Sequence, residues 1–269
     1  MISAPILVFD SGLGGLSVYA EIVRALPHEQ IVYCADNAGF PYGDWQEDEL
    51  ATRIKNLLAE LNQKFQPRAI VIACNTATVI ALDLVRAQLD VPIVGTVPAI
   101  KVAAEQSVSR MFSVLATPVT IGREYTRDLI SKFASSCDVT LVGSANLARL
   151  AERYIQDNEV SHEAVLAEIA PAFVETDQGR TDHIVLGCTH FPLLTDIMTK
   201  IAPWPVVFID PAPAIARRLA AVLPEDDKQG SGTPTHIFVS TAPMSKSSLK
   251  AVKQMGHFES AEMLRINSV

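Results

Sequence analysis

The sequence predicts an α/β protein of two similar lobes, each a mainly parallel sheet flanked by helices. Three observations carry that expectation. Short apolar runs alternate with stretches of helical period, the pattern of βα units. Two strand-like runs end alike, Ile70-Val71-Ile72-Ala73-Cys74-Asn75-Thr76 and Ile184-Val185-Leu186-Gly187-Cys188-Thr189-His190, each closing on a thiol followed by polar residues. The chain also restarts near Val97-Pro98, and a later strand run then ends in Ala116-Thr117-Pro118-Val119-Thr120, as the first strand ends in Asp10-Ser11-Gly12. The lobes expected from these marks are 1–97 with 208–269, and 98–207, the last stretch returning to the first lobe.

Strands are expected at 5–9, 30–34, 68–73, 92–95, 111–115, 139–142, 183–187, 205–209 and 235–239. Each is a short apolar run of the kind that fills a strand buried on both faces. After the first, a glycine-rich turn precedes a helix containing Val18, Ile22, Val23 and Leu26. In 48–63, Leu50, Ile54, Leu57, Leu58 and Leu61 fall on one helical face, and a helix at 77–89 follows the first thiol. In 145–157, Leu147, Leu150, Tyr154 and Ile155 share a face. A helix at 192–201 opens with Pro192 in its first turn, a favoured position. The polar segment 224–234 reads as a surface loop.

Composition narrows the function. A chain of 269 residues suffices for one large domain or two small ones, and 49% apolar residues fill a core. The net charge of −8, with no Lys or Arg run, argues against a nucleic-acid partner. Apolar runs are too short and too broken for a membrane span, so no membrane partner is expected. The start runs from Pro5-Ile6-Leu7-Val8-Phe9 straight into Asp10 without a signal-peptide pattern, so the expected location is cytoplasmic, with the four cysteines as free thiols.

The chemistry-bearing residues cluster at strand ends. Asp10-Ser11-Gly12-Leu13-Gly14-Gly15 turns tightly and leaves amide groups near a helix N-terminus, yet it lacks the dinucleotide pattern, and Asp10 would repel phosphate. The loop Asp36-Asn37-Ala38-Gly39-Phe40-Pro41-Tyr42-Gly43 is dense in turn residues and offers backbone amides and the Tyr42 hydroxyl to a ligand; alone, it reads equally as a rigid loop. Cys74-Asn75-Thr76 places a thiol, an amide and a hydroxyl at a helix N-terminus, which favours thiolate over thiol. A lone Cys after an apolar strand is usually a small hydrophobe. The matched Cys188-Thr189-His190, also expected to head a helix, cuts against that. Two matched thiols suit a reaction in which one removes a proton from a stereocentre and the other returns a proton to the opposite face. His190 would orient a substrate or protonate Cys188. No metal is expected: Cys188 and His190 are too few ligands, and no CxxC or HxxxH pair accompanies them. A cysteine hydrolase would leave the second thiol unused. Cys34, Cys137, Trp45 and Trp204 read as packing or surface residues, and His183 as a neighbour of the second thiol strand.

Together, Asp10-Ser11-Gly12-Leu13-Gly14-Gly15, Pro41-Tyr42-Gly43, Ala73-Cys74-Asn75-Thr76-Ala77 and Gly187-Cys188-Thr189-His190-Phe191-Pro192 resemble the cofactor-independent aspartate/glutamate racemases, and most closely their glutamate-acting branch, over about residues 5–222. The resemblance implies two lobes with glutamate held in the cleft between them, no cofactor, and no pyridoxal. It implies Cys74 and Cys188 as the acid/base thiols, with Cys188 acting on L-glutamate and Cys74 on D-glutamate. It implies Asp10, Ser11, Pro41, Tyr42, Gly43, Asn75, Thr76, Thr189 and His190 as substrate contacts, joined by Thr117 and Thr120. Asp36 and Glu152 match the carboxylates placed beside the thiols, with Asp10 and His190 also supporting proton transfer. The product would supply D-glutamate for peptidoglycan synthesis. A homodimer is compatible with the resemblance, its geometry open. Asp210-Pro211-Ala212-Pro213 and the stretch from about 224 depart from the family's wording. Aspartate racemase shares the same architecture and thiols, and a two-lobed binder of small carboxylates is the reading from another class.

Overall fold

A computed structural model describes residues 4–224, 234–256 and 258–264. Its described residues divide into two compact units, one running to Thr96 and resuming at Ala212, the other Val97–Pro211. The first unit opens with strands β1 (Ile6–Asp10), β2 (Ile31–Ala35), β3 (Ala69–Ile72) and β4 (Ile93–Gly95). The second holds β5 (Met111–Ala116), β6 (Asp138–Gly143), β7 (Glu175–Thr176), β8 (Gly179–Arg180), β9 (His183–Gly187) and β10 (Val207–Ile209). The chain returns to the first unit for β11 (His236–Ser240) and β12 (Phe258–Met263).

The first sheet has the order β12-β11-β2-β1-β3-β4, with all its pairings parallel. The second has the order β10-β9-β5-β6, also all parallel. Parallel strands need crossover helices, which cover both faces. In the first unit helix Glu47–Phe65 packs with Asn75–Gln88, and Leu16–Ala25 packs with Ala212–Val222. Three acids open Glu47–Phe65, complementing its dipole, and Gln66 ends it at φ 46° just before Pro67. Its buried Leu50, Ile54, Leu57, Leu58 and Leu61 meet Leu7, Phe9, Val32, Ile70 and Ile72 of the sheet. Each such side chain stabilises the unit by about 1.5–3 kcal/mol relative to exposure. Tyr33 stacks on Phe238, and Phe258 stacks on Tyr19. In the second unit Leu115, Ile184 and Leu186 pack with Leu147, Val165, Phe191 and Met198, while Phe112, Val114 and Val185 pack with Ile100 and Ala103.

Strand order creates a switch point in each sheet. From β1 the chain moves to β2 on one side and later to β3 on the other; from β5 it moves to β6 on one side and later to β9 on the other. Ligands of open parallel sheets bind beyond the carboxyl ends of the strands at such points. Cys74 follows β3 and Cys188 follows β9, so each thiol stands at one.

All nine expected strands are present, shifted by a residue or two at their ends. β12 carried no apolar signal, because it is an edge strand with exposed Glu259, Glu262 and Met263. The two-residue strands β7 and β8 form a polar hairpin equally silent in hydropathy. β10 pairs with β9, which places residues 208–211 with the second unit. The helix expected at 192–201 is a 3-10 turn at Phe191–Leu194 followed by an α-helix at Thr195–Ile201. Cys188 therefore sits at a bend followed by a turn and does not head an α-helix. The first thiol helix begins at Asn75, two residues earlier than expected, because Cys74 itself caps it. Apart from Pro224 and Pro234, the loop expected at 224–234 lies outside the described residues. No described helix is long and apolar enough to cross a membrane.

Candidate active site

The first unit assembles its polar groups at the carboxyl ends of β1, β2 and β3. Asp10 ends β1 fully buried, and its Oδ1 accepts the Gly12 amide at 2.9 Å, fixing the turn that presents Ser11. Tyr33, on β2, donates to the Gly12 carbonyl at 2.8 Å and braces the same turn. Cys74 Sγ lies 3.8 Å from Ser11 Oγ and accepts the Ala77 amide at 3.4 Å as the cap of helix Asn75–Gln88. A thiol used as an N-cap faces the positive end of the helix dipole, which favours its anion. Asn75 is only 1% exposed, and neither end of its carboxamide has a hydrogen-bond partner among the described residues. A buried amide with both ends unpaired is costly. A ligand carrying both donors and acceptors would satisfy it. Thr76 is buried beside it.

Asp36 follows β2 and is fully buried. Its carboxylate accepts Tyr42 Oη at 2.6 Å, Arg53 Nε at 2.7 Å, Arg53 Nη2 at 2.5 Å and Thr241 Oγ1 at 2.6 Å. Burial, and then the Asp36 charge, push the Tyr42 phenol well above its ordinary value, so it stays a donor. Pro41, behind a cis peptide bond from Phe40, precedes the 3-10 turn Tyr42–Asp44 that holds Gly43. Burial and Asp36 also push the Cys34 thiol well up, which keeps it protonated and in a packing role.

In the second unit Thr117 and Thr120 follow β5, with hydroxyls 2.9 Å apart, and Thr117 caps the short helix Pro118–Gly122. Cys188 Sγ lies 3.9 Å from His190 Nδ1, and His190 Nε2 lies 2.9 Å from Glu152 Oε1. Glu152 projects from helix Leu147–Asp157 and is 8% exposed; His190 is 1% exposed. Burial by itself would lower the histidine, but its bonds to Cys188 and Glu152 outweigh it and hold the ring well above its usual value. That shift favours the protonated ring, which has a thiol at one nitrogen and a carboxylate at the other. Thr189 is buried as well. His183 stands apart, at the opposite end of β9, 2.7 Å from Asp182. That carboxyl is lowered to about 2: burial raises it, but bonds from Ser109, His183 and Ser107 prevail.

A family model for Asp/Glu/hydantoin racemases matches residues 6–219. The chain belongs to the Asp/Glu/hydantoin racemase family. It is 51% identical over 242 residues to a glutamate racemase of Agrobacterium fabrum, covering 89% of each chain. A crystal structure of Escherichia coli glutamate racemase in complex with L-glutamate and the activator UDP-MurNAc-Ala aligns at TM-score 0.88 and 34% identity, over 99% of this chain and 100% of that one. A glutamate racemase isoform from Bacillus anthracis aligns at TM-score 0.85 and 27% identity over all of both chains. Both strand-end thiols lie inside the span matched to the racemase family.

Sequence reading had passed over three residues that the structure brings to these clusters. Tyr33 lies inside a strand, Arg53 beside the apolar face of an amphipathic helix, and Thr241 after a distant strand. None has a local signal. Only strand order puts β11 beside β2, and so Thr241 beside Asp36.

Proposed function

We propose that this racemase interconverts L- and D-glutamate with Cys74 and Cys188 as its two acid/base groups, one from each unit. The observation that carries the reading is a thiol at the switch point of each sheet, each with its own polar partners, in a chain 51% identical to a glutamate racemase. From L-glutamate, Cys188 as thiolate takes the α-proton and becomes a thiol. Cys74 as thiol delivers its proton to the opposite face of the α-carbon and becomes a thiolate. The reverse reaction exchanges these roles. No electrons leave the substrate, so the reaction balances without an oxidant.

The two thiols have different support. The helix dipole and the Ala77 amide favour anionic Cys74, and as a thiol it donates to Ser11 Oγ. The His190 imidazolium, held by Glu152, stabilises charge at Cys188. Asn75, Thr76, Thr117, Thr120 and Thr189 supply donors for the substrate's carboxylates and take up charge as the carbanion forms. Ser11, the Asp10 turn and Pro41-Tyr42-Gly43 complete the contacts. A cytoplasmic enzyme of this activity supplies D-glutamate for peptidoglycan synthesis.

The deciding experiment is proton NMR of the protein with L-glutamate in D2O and no added cofactor. Loss of the α-proton signal with appearance of the D-enantiomer is expected. Cys74→Ala and Cys188→Ala are each expected to lower racemisation by roughly 10³-fold or more. A single variant racemising at near the parental rate would remove the two-thiol mechanism. Exchange with aspartate in place of glutamate would reassign the substrate.

A further inference from the structure

The loop carrying Tyr42 is shaped by residues outside it. An ionised carboxylate offers about four lone-pair sites. At Asp36 they are taken by both arms of the Arg53 fork, the Tyr42 hydroxyl and the Thr241 hydroxyl. Thr241 is fully engaged: while donating to Asp36, its oxygen accepts the Ala38 amide at 3.0 Å. The Asn37 carboxamide accepts the Thr241 and Ala242 amides at 2.9 and 3.0 Å and donates to the Ala242 carbonyl at 3.1 Å. On the other side Arg53 lies 5.4 Å from the Trp45 ring, whose indole donates to the Gly39 carbonyl at 2.8 Å. The loop backbone crosses the ion pair with no space to spare: a Cβ on Gly39 would sit 2.8 Å from Arg53 Nε and from Asp36 Oδ2.

We propose that Arg53 and Thr241 are positioning residues, fixing the Asp36 carboxylate and through it the Tyr42 hydroxyl and the Pro41-Tyr42-Gly43 turn against substrate, an assignment that rests on the glutamate racemase reading above. The two come from separate elements, Arg53 from helix Glu47–Phe65 and Thr241 from the residue after β11. The segment that departs most from the family's wording therefore reaches the Asp36 carboxylate through one hydroxyl. The turn would contact glutamate in the ground state and in the transition state alike, so its displacement weakens binding more than proton transfer.

The test is steady-state kinetics in both directions with the full-length protein and its Thr241→Val, Thr241→Ser and Arg53→Lys variants. Thr241→Val keeps the shape and removes the hydroxyl. It is expected to raise KM for both enantiomers about tenfold, the loss of one hydrogen bond to a charged group, with kcat within about threefold of the parent. Thr241→Ser restores the hydroxyl and the parental KM. Arg53→Lys keeps the charge but loses the fork, and is expected to raise KM further. Unchanged KM in Thr241→Val overturns the assignment, whether or not its melting temperature falls, because a structural role alone costs stability and leaves the folded enzyme's KM intact. A parent that racemises neither glutamate nor aspartate overturns the reading beneath it instead, so the two failures are told apart by which protein shows them.

Discussion

The two thiols are unlike at the level of single residues. Cys74 is held by a backbone amide and a serine, Cys188 by an imidazole with a carboxylate behind it. This difference gives the second site a pH signature. A histidine held above its ordinary value contributes stability that is complete below its unfolded value, about 6.5, and is lost as pH rises through the folded value. Its charge on Cys188 follows the same course, so activity should fall on the alkaline side as His190 loses its proton. Glu152→Gln removes the negative partner. Its alkaline limb in a kcat/KM profile is expected at lower pH than the parent's, with a matching loss of stability above neutrality. Coincident limbs would show that Glu152 does not hold the His190 proton. The thiols themselves were legible because each follows an apolar run with polar residues behind it. A role for His190 was legible from its place two residues after Cys188, but that of Glu152 only through resemblance, since Glu152 and His190 lie on separate elements.

At the scale of elements, the site depends on how closely β5 and β9 approach. Gly187, the last residue of β9, pairs with Ala116 across the ladder. A Cβ there would lie 2.7 Å from the Ala116 Cβ, a contact that no rotamer relieves. Gly187→Ala should push the strands apart just before Cys188. The expected cost is about 1–3 kcal/mol of stability with at least a tenfold fall in kcat, about 1.4 kcal/mol in barrier, checked by urea denaturation and turnover. Parental values for both would mean that the β9 end yields freely. Elements with strong apolar runs were readable from sequence, as β3 and helix Glu47–Phe65 show. Those without an apolar run, β7, β8 and β12, were not.

For the whole molecule, the late return of the chain matters most. β11 lies between β12 and β2, and every residue of β2 is fully buried. A chain ending at Leu223 would lose both late strands, bare the edge of β2 and remove the Thr241 hydroxyl from Asp36. It is expected to lose soluble yield and cooperative melting by far-UV circular dichroism, since an exposed apolar strand edge invites association. A truncated chain that melts like the full one would show that the first unit needs only its first four strands.

The sequence by itself determined the class of fold, the positions of nine strands and the pair of thiols with their immediate neighbours. Those features are local: strand runs follow from hydropathy, and a residue one or two places from a strand end stays at that end in any fold. Tertiary structure alone decided which distant side chains complete each cluster. Arg53 and Thr241 meet Asp36, and Glu152 meets His190, because strand order and helix packing bring them there. It also decided that Cys74 caps a helix while Cys188 precedes a turn, a distinction set by where the backbone turns and not by apolar pattern.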